Sequence, residues 1–125
     1  MSRIKALEKK LDTLFSECVR QRDVNGRCIT CGRPFQGIYT LVTCGHFRKR
    51  RHMMTRWNLE NAYGQCWRCN GEDNDAKYTT ALIERLGEEK VIEIIDLSHE
   101  DVHLTYLDLK EIYDALLEYK HKLKS

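Results

Sequence analysis

A mostly helical α+β chain with a small cross-linked core at its middle is the fold class that three features of the sequence predict. Cysteines stand in two Cys-x-x-Cys pairs, Cys28 with Cys31 and Cys66 with Cys69. The 34 residues between the pairs contain a β-branched and aromatic run that reads as strand. Outside the pairs, apolar residues recur at spacings of three and four, the period of amphipathic helices. At 125 residues the expected organisation is one domain, 1–125, with an N-terminal helix at 1–23, a core at 24–86 and C-terminal helices at 87–125.

The cysteines come first because they decide the core. A two-residue gap lets both sulfurs of a pair face one point, so Cys28, Cys31, Cys66 and Cys69 are expected to give four thiolates to one tetrahedral zinc per chain. A chain this short buries a modest core, and a structural metal adds to it. No apolar secretory segment precedes the cysteines, which places the chain in a reducing cytoplasm where such pairs mean metal more often than disulfide. No apolar run approaches the ~20 residues that span a bilayer, so no membrane partner is expected.

From Ser2 to about Arg22, Ile4, Leu7, Leu11, Leu14, Phe15, Cys18 and Val19 form one apolar stripe, with Lys5, Lys9, Lys10 and Arg20 on the other face. The stripe is expected to pack on the rest of the domain, with dimer formation or DNA tracking as alternatives, and Cys18 on it reads as a buried thiol. Asp23-Val-Asn-Gly26 is a turn that leads into the first cysteine pair. Ile38 to Thr43 reads as a short strand, with Cys44-Gly-His46-Phe47 at its end or in a following strand. After Cys69 a helix is expected over Asn70 to Leu86, stopped by Gly87, then a second over Glu88 to Leu97. A third opens at Thr105, which with Asp108 makes a capping box.

The net charge of +2 conceals an asymmetry: residues 1–56 carry 13 Lys/Arg against 4 Asp/Glu, and residues 57–125 carry 8 against 15. A basic half set against an acidic one points to a polyanion bound locally, with nucleic acid the natural choice. Within the basic half, Arg48, Lys49, Arg50, Arg51 and Arg56 fall in nine residues with no acid, and they are the expected phosphate contacts. Such a run is otherwise a solvated face.

The order of the pieces carries more than any one of them: cysteine pair, strand, Gly45-His46, basic run, Asn61, cysteine pair, then Asn70 directly after the last cysteine. That order resembles the zinc-containing His-Asn-His (HNH) nucleases, and the resemblance implies a zinc-clamped ββα-metal core, treble-clef-like, in which a hairpin and one helix cradle a catalytic divalent metal. It implies His46 as general base, since a neutral imidazole takes a proton from water near pH 7. Asn61 matches the family's middle asparagine, which braces the loop that aims the histidine, with Asn58 as its rival. Asn70 stands at the last metal-binding position, where its carbonyl oxygen suits magnesium or manganese, although a helix N-cap needs the same residue type. Asp73 and Asn74, three and four residues further along the expected helix, share its face.

One position departs from that pattern. Many members of the superfamily carry Asp or His as a metal ligand just before the general base, whereas this chain has Gly45. Either fewer protein groups hold the metal or His52, Asp73 or Asp75 replaces the absent one; Cys44 is near, but a thiolate is a poor ligand for magnesium.

The resemblance narrows further on F-S-E-C-V-R-Q-R-D (Phe15 to Asp23), C-I-T-C-G, G-H-F, N-A-Y-G-Q-C-W-R-C-N, L-I-E-R-L-G (Leu82 to Gly87) and D-L-K-E-I-Y (Asp108 to Tyr113). Together these resemble the phage recombination family called NinG or Rap, and they cover most of the chain. That family pattern too has glycine before the histidine. The resemblance implies a structure-specific endonuclease acting on branched DNA such as Holliday junctions and D-loops, similar to phage endonuclease VII. It further implies a homodimer, phage or host recombination proteins as partners, and the cytoplasm of the bacterial host. The competing readings are a non-catalytic zinc module that binds DNA or a recombination partner, and a general nicking nuclease.

Overall fold

The computed structural model describes residues 2–124; Met1 and Ser125, the ends of the expected domain, lie outside them. The first helix, α1, spans Arg3–Asp23 and starts where the Ser2 hydroxyl accepts from the Lys5 amide at 3.1 Å. It buries Leu7, Leu11, Leu14, Phe15, Cys18 and Val19, so the stripe read from the sequence is a core face apart from the exposed Ile4. Its main partner is the last helix of the chain, Tyr106–Leu123, whose Leu109 and Leu116 close the same core. That last helix opens on the expected capping box between Thr105 and Asp108. Cys18 is buried there, its Sγ 3.5 Å from the Leu116 carbonyl.

Two short strands, β1 (Thr43–His46) and β2 (Ala62–Gln65), pair antiparallel with Thr43 opposite Gln65 and His46 opposite Ala62. The strand expected over Ile38–Thr43 is therefore displaced: Tyr39–Leu41 is a single 3-10 turn, and pairing starts at Thr43. The reason is the partner. β2 is four residues long and has nothing to offer Ile38 or Leu41, which stay exposed, while Gln36 and Gly37 take positive φ and turn the chain before them. The outer edge of β2 is covered: the Gly64 amide donates to the Asp23 carboxylate at 2.7 Å and the Gly64 carbonyl accepts from the Ile29 amide at 3.0 Å. Gly64 is closely packed: an added Cβ would come within about 3.0–3.1 Å of the side chains of Asp23, Val42 and Phe35, which would have to give way.

Between the strands lies the basic run, interrupted by one helical turn, α2 (Met53–Arg56). After β2 come α3 (Trp67–Glu72), α4 (Asp75–Leu86), α5 (Glu88–Ser98) and, closing the chain, α6 (Tyr106–Leu123). The helix expected over Asn70–Leu86 is thus two helices. Asp73 adopts the left-handed conformation (φ 54°) as the C-cap of α3, and Asn74 caps α4 by accepting from the Lys77 amide at 3.1 Å. Aspartate and asparagine are the residues that tolerate these two roles, so the break has a local chemical cause. Helices α4 and α5 bury Tyr78, Leu82, Val91 and Ile94 against Phe47 and Tyr63, a second core beside the hairpin. Mostly helical with one two-strand sheet, the fold contains no helix among its described residues long and apolar enough to cross a membrane.

Candidate active site

The four paired cysteines come together. Their sulfurs all lie within 4.8 Å of one another, although Cys28 and Cys69 are 41 positions apart in the chain. A zinc tetrahedron with Zn–S of about 2.3 Å needs sulfurs roughly 3.8 Å apart, and Cys31 and Cys66 are separated by 3.8 Å. Gly32, at φ 79°, and the return of its amide to the Cys28 carbonyl (2.9 Å) shape the first pair. The second pair is the start of α3: Cys66 is its N-cap and accepts from the Cys69 amide at 3.5 Å. Burial works to raise the Cys31 thiol, but the Arg33 amide and the neighbouring sulfurs outweigh it and bring it down to about 7. At Cys69 burial and the same crowding of sulfurs act together and push the thiol up to about 12. One thiolate is stabilised and further ones are opposed, so four of them together require a cation. The donor set fits a metal such as zinc.

Beside this cluster a cleft of about 320 Å³ opens at the end of the hairpin, lined among others by His46, Gln65, Cys69, Asn70, Asp73 and Asp12. His46 is half-buried at the end of β1, its ring 5.3 Å from that of Phe15 on α1. Its Nε2 lies 2.9 Å from the Arg56 carbonyl, which can only accept, so Nε2 carries the proton and Nδ1 is the basic nitrogen. Burial lowers the pKa of His46 from its ordinary value, and the Arg50 and Arg56 charges add to this against the carbonyl contact and Asp12. The ring is therefore neutral near pH 7.

The loop that delivers this carbonyl is held by one side chain. Asn61 is fully buried; its Oδ1 accepts from the Arg48 amide at 2.9 Å, and its Nδ2 donates to the carbonyls of Arg48 and Thr55, both at 3.1 Å. Asn58, the rival reading, instead spends its side chain on capping a 3-10 turn, accepting from the Glu60 amide at 2.9 Å, and meets the loop through its backbone amide on the Thr55 carbonyl (3.1 Å). From the other side, Asp12 takes two hydrogen bonds from the Arg56 guanidinium (3.1 and 2.7 Å) and one from the Trp57 indole (2.9 Å).

Asn70 lies inside α3, its amide bonded to the Cys66 carbonyl, so the N-cap alternative does not apply: Cys66 has that place. Its Nδ2 donates to Thr43 Oγ1 at 3.0 Å, which leaves Oδ1 as the acceptor end of the amide. Asp73 and Asn74 line the same cleft, but the break after Glu72 means that they do not continue the helical face of Asn70. The Asn74 oxygen is committed to capping α4, and the Asp73 carboxylate pairs with Lys49. His52 lies away from the cleft and faces the Ser98 carbonyl at 3.1 Å. Cys44 lines the cleft as a neutral thiol, pushed by burial up to about 12.

The basic run divides. Arg56 is held by Asp12 and stacks 4.9 Å from the Trp57 ring, and Arg48 donates to Ser98 Oγ at 2.9 Å. Arg50 and Arg51 are exposed, Arg50 on the rim of the cleft, while Lys49 lines the cleft paired with Asp73. Two cleft residues had no sequence signal of their own: Asp12, which looks like one more charge on the polar side of α1, and Gln65, whose only hint is that period-two alternation puts it on the face of Thr43 and Gly45.

No curated protein and no solved structure matches the chain. A family model does, along the whole length, and such membership suggests a role related to phage recombination. The chain belongs to the bacteriophage lambda NinG protein family, whose model matches residues 1–125.

Proposed function

We propose that this protein is a metal-dependent endonuclease of the His-Asn-His type that cuts branched DNA, such as Holliday junctions and D-loops, during phage recombination. The observation that carries the reading is the state of His46: a carbonyl holds the proton on Nε2, and Nδ1 is left basic in a cleft shared with Asn70. The order β1, β2, α3 around that cleft supports the expected ββα-metal core, with one zinc on the cysteines holding α3 to the first cysteine pair.

An oxygen donor at the cleft fits a hard dication: Asn70 Oδ1 would hold magnesium or manganese, whereas the Asp73 carboxylate in the same cleft is paired with Lys49. When bound, that ion supplies positive charge at the phosphate and stabilises the leaving alkoxide. The chain does the rest. His46 Nδ1 takes a proton from water as the water oxygen bonds to phosphorus, and the P–O bond to the leaving sugar breaks with its electron pair on that oxygen. Asn61 acts through the loop, fixing the carbonyl that fixes the ring. Lys49, Arg50 and Arg51 draw in the backbone phosphates, while Arg48 and Arg56 hold the loop that presents them. Paired cuts across a junction need two such sites, which makes a homodimer the working form.

Incubating the purified protein and magnesium with a labelled four-way junction tests this. Cleavage is expected, weaker on linear duplex at equal salt, and lost in His46→Ala. Undiminished cutting by His46→Ala overturns the base assignment. A chain that binds junctions and never cuts them leaves the non-catalytic zinc module as the better reading.

A further inference from the structure

Gly45 and Gln65 fit together across the hairpin. A Cβ added at Gly45 would lie 1.9 Å from Gln65 Oε1, 2.5 Å from its Cδ and 2.8 Å from its Cγ. The space where a side chain at position 45 would begin is thus filled by the amide of another residue, reaching over from β2. Gln65 is 4% exposed, yet it lines the cleft with His46 and Asn70. Its amide is oriented: Nε2 donates to Thr30 Oγ1 at 2.8 Å, which leaves Oε1 as the end over Gly45. Thr43, on the same face and directly opposite Gln65, accepts from Asn70, so the two amide side chains flank one threonine.

We infer that Gln65 Oε1 is the protein ligand that replaces the side chain absent at Gly45, so that the divalent cation is held between Gln65 and Asn70. This rests on the nuclease reading above, because it places a donor in the same cleft. The rivals fit less well. His52 does not line the cleft, and the exposed carboxylates of Asp73 and Asp75 both face Lys49. An amide oxygen is a proper donor to magnesium or manganese, and buried and tethered as this one is, it needs no reordering to bind. Glycine at 45 is then the condition for the substitution: only without a Cβ can the glutamine cross the strand. The same site made with an amide instead of a carboxylate carries one negative charge fewer.

The test is manganese binding by the full chain carrying its zinc, read by electron paramagnetic resonance in the absence of DNA, with zinc content and circular dichroism recorded for every variant. Gln65→Met keeps the length and removes the oxygen, and should weaken manganese binding by at least about tenfold with zinc content unchanged. Gln65→Glu keeps the oxygen and adds charge, and should tighten it. Gly45→Asp alone should push the Gln65 amide out of its place over the strand, whereas Gly45→Asp combined with Gln65→Ala should fold and bind manganese more tightly than Gln65→Ala. Native-like binding by Gln65→Met overturns the assignment; should that variant not fold, unchanged or weaker binding by Gln65→Glu does so. A native chain that binds no manganese overturns it together with the nuclease reading, which separates the two failures.

Discussion

The cysteine cluster and the cleft share Cys69 and the helix α3, yet they are built on different plans. The cluster gathers four identical soft donors from two short turns and presents no open position, the pattern of a metal that holds a frame. The cleft gathers an imidazole and oxygen donors from α1, both strands, α3 and the turn after it, and it is open to solvent. Because Cys66 caps α3 and Asn70 lies in that helix, the closed site sets where the open one can be. Frame and chemistry are thus separable, and the two should fail differently.

The largest expected effect exploits that separation. Stripping the cysteine metal with a strong chelator, or Cys66→Ser, should unfold or aggregate the chain, since Cys28, Cys66 and Cys69 pack with Phe35 and Val42 as a third core cluster. Removing only magnesium should leave circular dichroism unchanged and stop the proposed cleavage. A chelated chain that keeps its helices and its melting transition would contradict the division; so would elemental analysis finding no zinc.

Next in size is the loop between the two plans. Asn61→Ala leaves the Arg48 amide and the Arg48 and Thr55 carbonyls without their buried partner and should cost about 3 kcal/mol in urea unfolding. Asn58→Ala removes one exposed cap and should cost about 1 kcal/mol or less. Equal costs at the two positions would remove Asn61 from its bracing role.

The same contrast explains what was legible in the sequence. The cysteine site depends on two-residue gaps, the α6 start on Thr105 and Asp108 three apart, and the α1 stripe on a helical period, all of which are local. The β-branched residues at Ile38–Thr43 advertise a strand that the four residues of β2 cannot pair, so it is the stretch expected to follow, Cys44–Phe47, that supplies most of β1, with Gly45 inside it. The break at Asp73–Asn74 was available in the turn-forming composition N-G-E-D-N-D (70–75) and was overridden by the apolar period that follows. Asp12, reaching Arg56 and Trp57 more than forty residues on, was not legible at all, because nothing local distinguishes a carboxylate that pairs across the fold from one that faces water.

A pH profile sharpens the account of the cleft. Burial, with Arg50 and Arg56, holds the His46 pKa below its ordinary 6.5. Between those two values the unfolded chain binds a proton there that the folded one does not, so this histidine's contribution to stability falls as pH drops below 6.5 and levels out once the folded pKa is passed. For the proposed reaction the same shift puts the acid limb of kcat/KM below pH 6.5, with the rate falling tenfold per pH unit beyond it. A limb centred above 6.5 assigns the base to another group.

The smallest effect lies at the rim, where the basic run divides into residues tied to the protein and residues facing outward. Arg50 is 3.6 Å from Asp12, but its side chain is 63% exposed, against 19% for Arg56 on the same carboxylate. Arg50→Ala with Arg51→Ala should therefore leave the melting transition in place and flatten the dependence of log K on log salt for junction binding by about 1–2, one phosphate contact per residue. Arg56→Ala should do the reverse. It leaves Asp12 without its two charge-assisted hydrogen bonds and the His46 loop without its anchor on α1, so stability drops by about 2 kcal/mol while the salt slope changes little. If Arg56→Ala instead flattens the slope with stability intact, the ion pair with Asp12 opens on binding and the arginine reaches phosphate, and the line drawn here between frame and DNA contact moves one residue toward His46.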